Sequence, residues 1–250
     1  FTVIAWALSS GSTRRTQGGD FYLATSGDLD LATNGDFLMA MDKTDRFLVR
    51  QAPDDGVVLS DDTGPILRLE VSFGCVWDSA GQYLAVEQSR IAVFAEGGTN
   101  PLFRYEFSRN LESPNLPSAH IHFHGTHSEL ERAMANCGSS TPRAKRRLSG
   151  KKLQLSTLHF PVGGARFRPC LEDVLQMLIE EFGVKTYGGS VKSAIEHLSV
   201  AREQWRRDQV KTCVRDSPED AALVLRALGY SVEPPQAGPA PARTDRLQAI

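Results

Sequence analysis

The sequence is poor in cysteine. There are four in 250 residues, at positions 75, 137, 170 and 213, and none forms a Cys-x-x-Cys pair. That spacing argues against a zinc ribbon and suits free thiols in a reducing compartment. Long apolar runs are missing as well. None approaches the roughly 20 residues that span a bilayer, and the apolar stretch at residues 1–8 lacks a basic flank and is short for a secretory signal. The chain therefore reads as cytoplasmic, with no membrane partner. Charge of one sign is also scarce. The formal net charge is −2, so any nucleic acid must be met by a local patch. One basic run exists: Arg143, Lys145, Arg146, Arg147, Lys151 and Lys152. No aromatic residues interleave with it to stack bases, so it reads as a solvated loop. The Gly163-Gly164 pair lacks the Lys-Ser/Thr of a P-loop and offers at most a turn with N–H groups facing an anion.

What is present is ordinary soluble-protein material, 41% apolar and 23% charged, enough to build one sizeable core. Residues 19–40 repeat Gly-Asp every eight positions, at 19–20, 27–28 and 35–36. So few copies cannot build a solenoid core, so residues 1–41 are expected to be a disordered or non-native extension, with Met39 or Met41 as the start. Residues 42–230 are expected to form a single α+β domain, and the proline-rich residues 231–250 a disordered tail. Strands are expected at 46–51, 56–59, 65–77, 82–88, 90–96, 102–107 and 155–160. The connections are too short for parallel crossovers, which predicts an antiparallel meander. Helices are expected at 128–135, 170–182, 190–214 and 217–228. The second carries Leu171, Val174, Leu175, Leu178, Ile179 and Phe182 on one face and stops at Gly183. The last three helices should pack on the sheet.

Four of the six histidines fall between 120 and 127, in the string His120-Ile121-His122-Phe123-His124-Gly125. Alternation with period two is that of a strand, with Ile121 and Phe123 turned to a core and His120, His122 and His124 on the other face. On the preceding strand Arg104 and Glu106 share one face and could lie beside those histidines. Three imidazoles in register span about 13 Å, too far for one ion, so a metal would need two of them joined by His159 or Glu106. No metal-ligand set or cofactor is assigned on this reading, with zinc or manganese as the alternative. Histidine is also the side chain best suited to proton transfer near neutral pH.

Two resemblances bear on function. The string His-φ-His-φ-His resembles the histidine-triad nucleotide hydrolases, which would make His122 a nucleophile, although Gly125 stands where that family has an apolar residue. A broader likeness runs through Phe103-Arg104-Tyr105-Glu106, Pro117-Ser118-Ala119-His120 with His122 and His124-Gly125, Leu158-His159-Phe160-Pro161-Val162-Gly163-Gly164, and Arg166-Phe167-Arg168-Pro169-Cys170-Leu171-Glu172-Asp173. These residues look like uncharacterised proteins of high-GC Gram-positive bacteria, and their order resembles the TumE-type toxins of toxin–antitoxin modules. That resemblance implies a small antiparallel sheet with packed helices, an RNA-directed toxin and an antitoxin partner. On this reading the chain is a phosphodiesterase. His122 or His124 would be the general base, His159 the second acid/base and Glu106 a further catalytic group. Arg104, Arg166 and His120 would bind substrate. The alternatives are a non-catalytic interaction or regulatory domain and a metal-dependent hydrolase.

Overall fold

A computed structural model describes residues 21–22, 36–41, 46–77, 84–110, 116–135, 149, 154–163, 168–186 and 190–248. Among them are nine strands: β1 (Phe21–Tyr22), β2 (Asp36–Met41), β3 (Phe47–Ala52), β4 (Val57–Ser60), β5 (Pro65–Trp77), β6 (Leu84–Ala95), β7 (Pro101–Ser108), β8 (Ala119–Phe123) and β9 (Phe160–Pro161). The helices are α1 (Ser128–Ala135), α2 (Leu171–Phe182), α3 (Val191–Asp216), α4 (Pro218–Ala227) and α5 (Thr244–Leu247). All strands belong to one sheet in the order β1-β2-β3-β5-β6-β7-β8-β9, with β4 also on β5, and every pairing is antiparallel. This is an α+β protein with its main helices after the sheet.

The register sorts side chains onto two faces, because directly opposed residues share a face. On one face lie Leu67, Leu69, Val71, Ile91, Val93 and Phe103, packed with Leu171, Val174, Leu175, Leu178 and Ile179 of α2 and with Leu198 of α3. Each fully buried Leu or Val here contributes about 1.5–3 kcal/mol. The α2 stripe supplies this core because its apolar residues recur at i, i+3 and i+4. Gly183 closes the helix in the left-handed region at φ 66°. Phe182, last in the stripe, remains 39% exposed. Arg202 of α3 clamps α2, with Nε 2.7 Å from Asp173 Oδ1 and Nη2 donating to Gln176 Oε1 at 2.6 Å. The other sheet face is polar. Two rows cross it, His122–Arg104–Ala92–Glu70 and His120–Glu106–Arg90–Ser72–Arg50.

Some expectations need correction. The two strands expected at 82–88 and 90–96 are replaced by one, β6 (Leu84–Ala95), because β5 is long enough to pair with it from Leu67 to Trp77; residues 82 and 83 lie outside the described residues. Ser89, left between the two expected strands, pairs with Phe73 and Phe107 inside β6. Residues 155–160 are not a strand. Leu155–Thr157 is a 3-10 turn, closed by Thr157 N–H and Oγ1 on the Gln154 carbonyl at 2.9 and 2.7 Å, and pairing starts only at Phe160. Upstream, β2 pairs with β3 along its whole length, so the sheet takes in residues before position 42. Downstream, α5 follows Arg243, whose N–H donates to the Asp216 carbonyl at 2.8 Å. The basic run at 143–152 lies outside the described residues.

Candidate functional site

The register of β7 on β8 sets the site. Glu106 faces His120 and Arg104 faces His122. Pairing of His120 with Pro161 and Ile121 with Phe160 then brings the chain back beside β8, carrying His159. The three imidazoles pack as a triangle, with ring centroids 4.9 Å apart for His120–His122, 4.8 Å for His120–His159 and 4.5 Å for His122–His159. One donor atom from each lies within 4.8 Å of the others.

Two of these rings are fixed from behind. His120 Nδ1 donates to the Pro117 carbonyl at 3.0 Å, and His122 Nδ1 donates to the Ser156 carbonyl at 2.9 Å. A carbonyl oxygen only accepts, so each Nδ1 carries the hydrogen. Both Nε2 atoms point forward onto Glu106 Oε2, at 3.4 Å from His120 and 3.2 Å from His122. The second Glu106 oxygen meets Arg104 Nε at 3.0 Å. Burial alone would raise the Glu106 carboxyl, but hydrogen bonds with His120 and His122 and the charge of Arg104 outweigh it. The group is held well below the usual carboxylate range.

Exposure shows which side opens. The His120 and His122 side chains are 8% and 4% exposed, whereas Glu106 and Arg104 are 29% and 27% exposed. Among the described residues the carboxylate side of the cluster is thus open to solvent, and His159 is partly exposed as well.

His124 lies one step further and belongs to a different contact. Arg104 Nη1 donates to its Nε2 at 3.4 Å. Burial, reinforced by the Arg104 and His122 charges, pushes this imidazole below its usual value.

The alternation of β8 thus holds, but its burial differs from expectation. Ile121 is buried, yet Phe123 is 40% exposed, with its ring 5.7 Å from Phe160. His120 and His122 are more deeply buried than Phe123, because residues 154–161 lie over their face. The structure brings together His120, His122, His159, Glu106 and Arg104. It sets His124 apart, and Arg166 lies outside the described residues. The anchoring carbonyls of Pro117 and Ser156 were missed, since a backbone atom leaves no mark in a sequence. So were Arg68, Glu70 and Arg90, although Arg68-x-Glu70-x-Ser72 does alternate as a polar face should. Glu70 binds Arg90 Nη1 at 2.9 Å, and Arg68 lies over the Phe94 ring at 4.1 Å.

Comparison with protein-family models, with curated proteins and with solved structures finds no match.

Proposed function

We propose that the chain hydrolyses phosphodiester bonds, with RNA as the substrate class, at the histidine cluster of the polar sheet face. The observation that carries this reading is the imidazole triangle, in which His120 and His122 are buried and His159 is partly exposed. Glu106 and Arg104, both partly exposed, border it on a face whose paired strands carry Arg50, Arg68, Arg90 and Arg104 against Glu70 and Glu106. Such a face favours a polyanion despite the near-neutral net charge. The imidazoles and Glu106 would activate the attacking oxygen. A guanidinium has five N–H donors, so the contacts of Arg104 with Glu106 and His124 leave it capacity for a phosphate oxygen.

The test is cleavage of end-labelled single-stranded RNA by the purified chain. Wild type is expected to cut, Arg104→Ala to slow turnover by about 10²- to 10³-fold, and the double variant His122→Ala, His159→Ala to abolish it. RNA binding without cleavage would instead support a non-catalytic interaction domain. Cleavage indifferent to the double variant would remove the reading. An antitoxin partner belongs to the same proposal. It predicts growth arrest on expression, relieved by a co-expressed neighbouring gene product.

A further inference from the structure

We propose that His120, His122 and His159 form the binding site of one divalent transition-metal ion of the zinc class, with Glu106 at its open side. The inference deepens the reading above and rests on it only for placing the chemistry at these residues. It stands or fails independently of the substrate.

The argument begins with lone pairs. With Nδ1–H committed to the Pro117 and Ser156 carbonyls, a neutral His120 or His122 presents a bare Nε2. Both bare nitrogens face the same carboxylate oxygen, at 3.4 and 3.2 Å. Three acceptors then converge in a space where the rings are almost fully buried. That array repels itself unless positive charge lies within it. Extra protons on the rings could supply it. They would set imidazolium rings 4.9 Å apart, with the Arg104 guanidinium also on Glu106, against one carboxylate in the cluster. A single dication supplies the charge at one point; it takes the place of the two Nε2–Oε2 contacts and leaves both Nδ1–carbonyl hydrogen bonds intact.

Four further features fit an ion. Metal-binding histidines almost always anchor the opposite ring nitrogen on a carbonyl or carboxylate, as His120 and His122 do. Glu106 is steadied in the same way, with Arg104 holding Oε1 and leaving Oε2 to face the rings. Three imidazoles with a neighbouring carboxylate match the nitrogen-rich donor sets of zinc. The size also fits. Bonds of 2.0–2.1 Å place tetrahedral donors about 3.3 Å apart. The present donor atoms lie within 4.8 Å, so closure asks each ring to move about 1 Å. The fourth position faces the partly exposed Glu106, which gives the ion a route in from solvent.

The test uses the full chain, stripped with chelator and titrated with Zn²⁺ by calorimetry. The expected result is one ion per chain with Kd on the order of 0.1 µM or tighter. X-ray absorption of the zinc-loaded wild type, which needs no variant to fold, should show imidazole scattering at about 2.0–2.1 Å and no sulfur. His122→Ala and His159→Gln should each weaken zinc by at least about a hundredfold. His197→Ala, on an exposed face of α3, should leave affinity unchanged. Failure of the folded wild type to bind stoichiometric zinc overturns the proposal. So does a sulfur shell, or unchanged affinity in the double variant His122→Ala, His159→Gln. RNA cleavage by a chain that binds no stoichiometric zinc sinks the ion and spares the hydrolase. Stoichiometric zinc without cleavage does the reverse.

Discussion

The imidazole of His122 is held by the Ser156 carbonyl, its hydrogen-bond partner at 2.9 Å across 34 positions of chain. A strand histidine is therefore oriented by a turn that no local pattern connects to it. The turn depends on Thr157, whose N–H and Oγ1 both bind the Gln154 carbonyl. The double variant Ser156→Gly, Thr157→Gly keeps the carbonyl but loosens its position. Zinc affinity is expected to fall about 10- to 100-fold with the circular dichroism spectrum unchanged. A competition titration against a chromophoric chelator measures this, and equal affinities would show that the turn does not orient the ring.

Gln51 is expected to be the most costly polar residue to remove from the sheet. Its side chain is buried, and Oε1 accepts the Val71 N–H at 2.6 Å. On that edge, β5 pairs with β3 from Ser72 onward and with β4 up to Leu69. Val71 falls in the gap, and the Gln51 amide takes the place of the missing strand. Gln51→Leu strands that N–H in the interior, so unfolding free energy should drop by about 1–3 kcal/mol in a urea melt. The Val71 amide should also exchange faster with deuterated solvent. If neither changes, the carboxamide is not sealing the junction.

These two cases mark what a sequence discloses. The α2 helix was legible because Leu171, Val174, Leu175, Leu178 and Ile179 repeat at helical spacing, and Gly183 ends it. Strand β5 was legible from its alternation. The site was legible in part: alternation placed His120 and His122 on one face, and Arg104 with Glu106 on one face of the strand before. Alternation alone does not say which face becomes buried. That depended on residues 154–161 returning over β8, which buries two histidines and leaves Phe123 at 40% exposure. The division of β6 at Ser89 misled for a related reason. Polar residues interrupt an apolar run both in turns and on the wet face of a continuous strand.

Gly56 separates steric from conformational cost. Its φ is +104°, and a Cβ there would lie 2.9 Å from Arg68 Cγ and 3.1 Å from the Leu69 carbonyl oxygen. The backbone oxygen belongs to a paired strand and cannot give way. Gly97 also has positive φ, at +69°, but a Cβ there meets nothing within 4 Å. Gly97→Ala should therefore cost about 1 kcal/mol, the price of a left-handed alanine. Gly56→Ala should cost more, about 2–3 kcal/mol, with the contact added to the strain. Equal costs by denaturant titration would mean that the β4–β5 junction relaxes around the added methyl.

The thiols should titrate far from neutrality. Burial pushes the Cys75 thiol up to about 12, against the opposing charges of Arg109 and Arg168. Burial, with Glu172 and Asp173 adding to it, also raises Cys170. The thiolate is the reactive form, so at pH 8 both should resist iodoacetamide in the native chain and react once denaturant is added. Peptide mapping by mass spectrometry reads this directly. Stability should follow the same protons. The unfolded chain releases the Cys75 proton near its ordinary value of 9.0, while the native chain keeps it to about 12. Between those values the unfolded state binds fewer protons, so unfolding free energy falls as pH rises from about 9. Cys75→Ala removes this contribution and should flatten the decline in denaturant melts across that range. A decline equally steep in the variant would assign it to other groups.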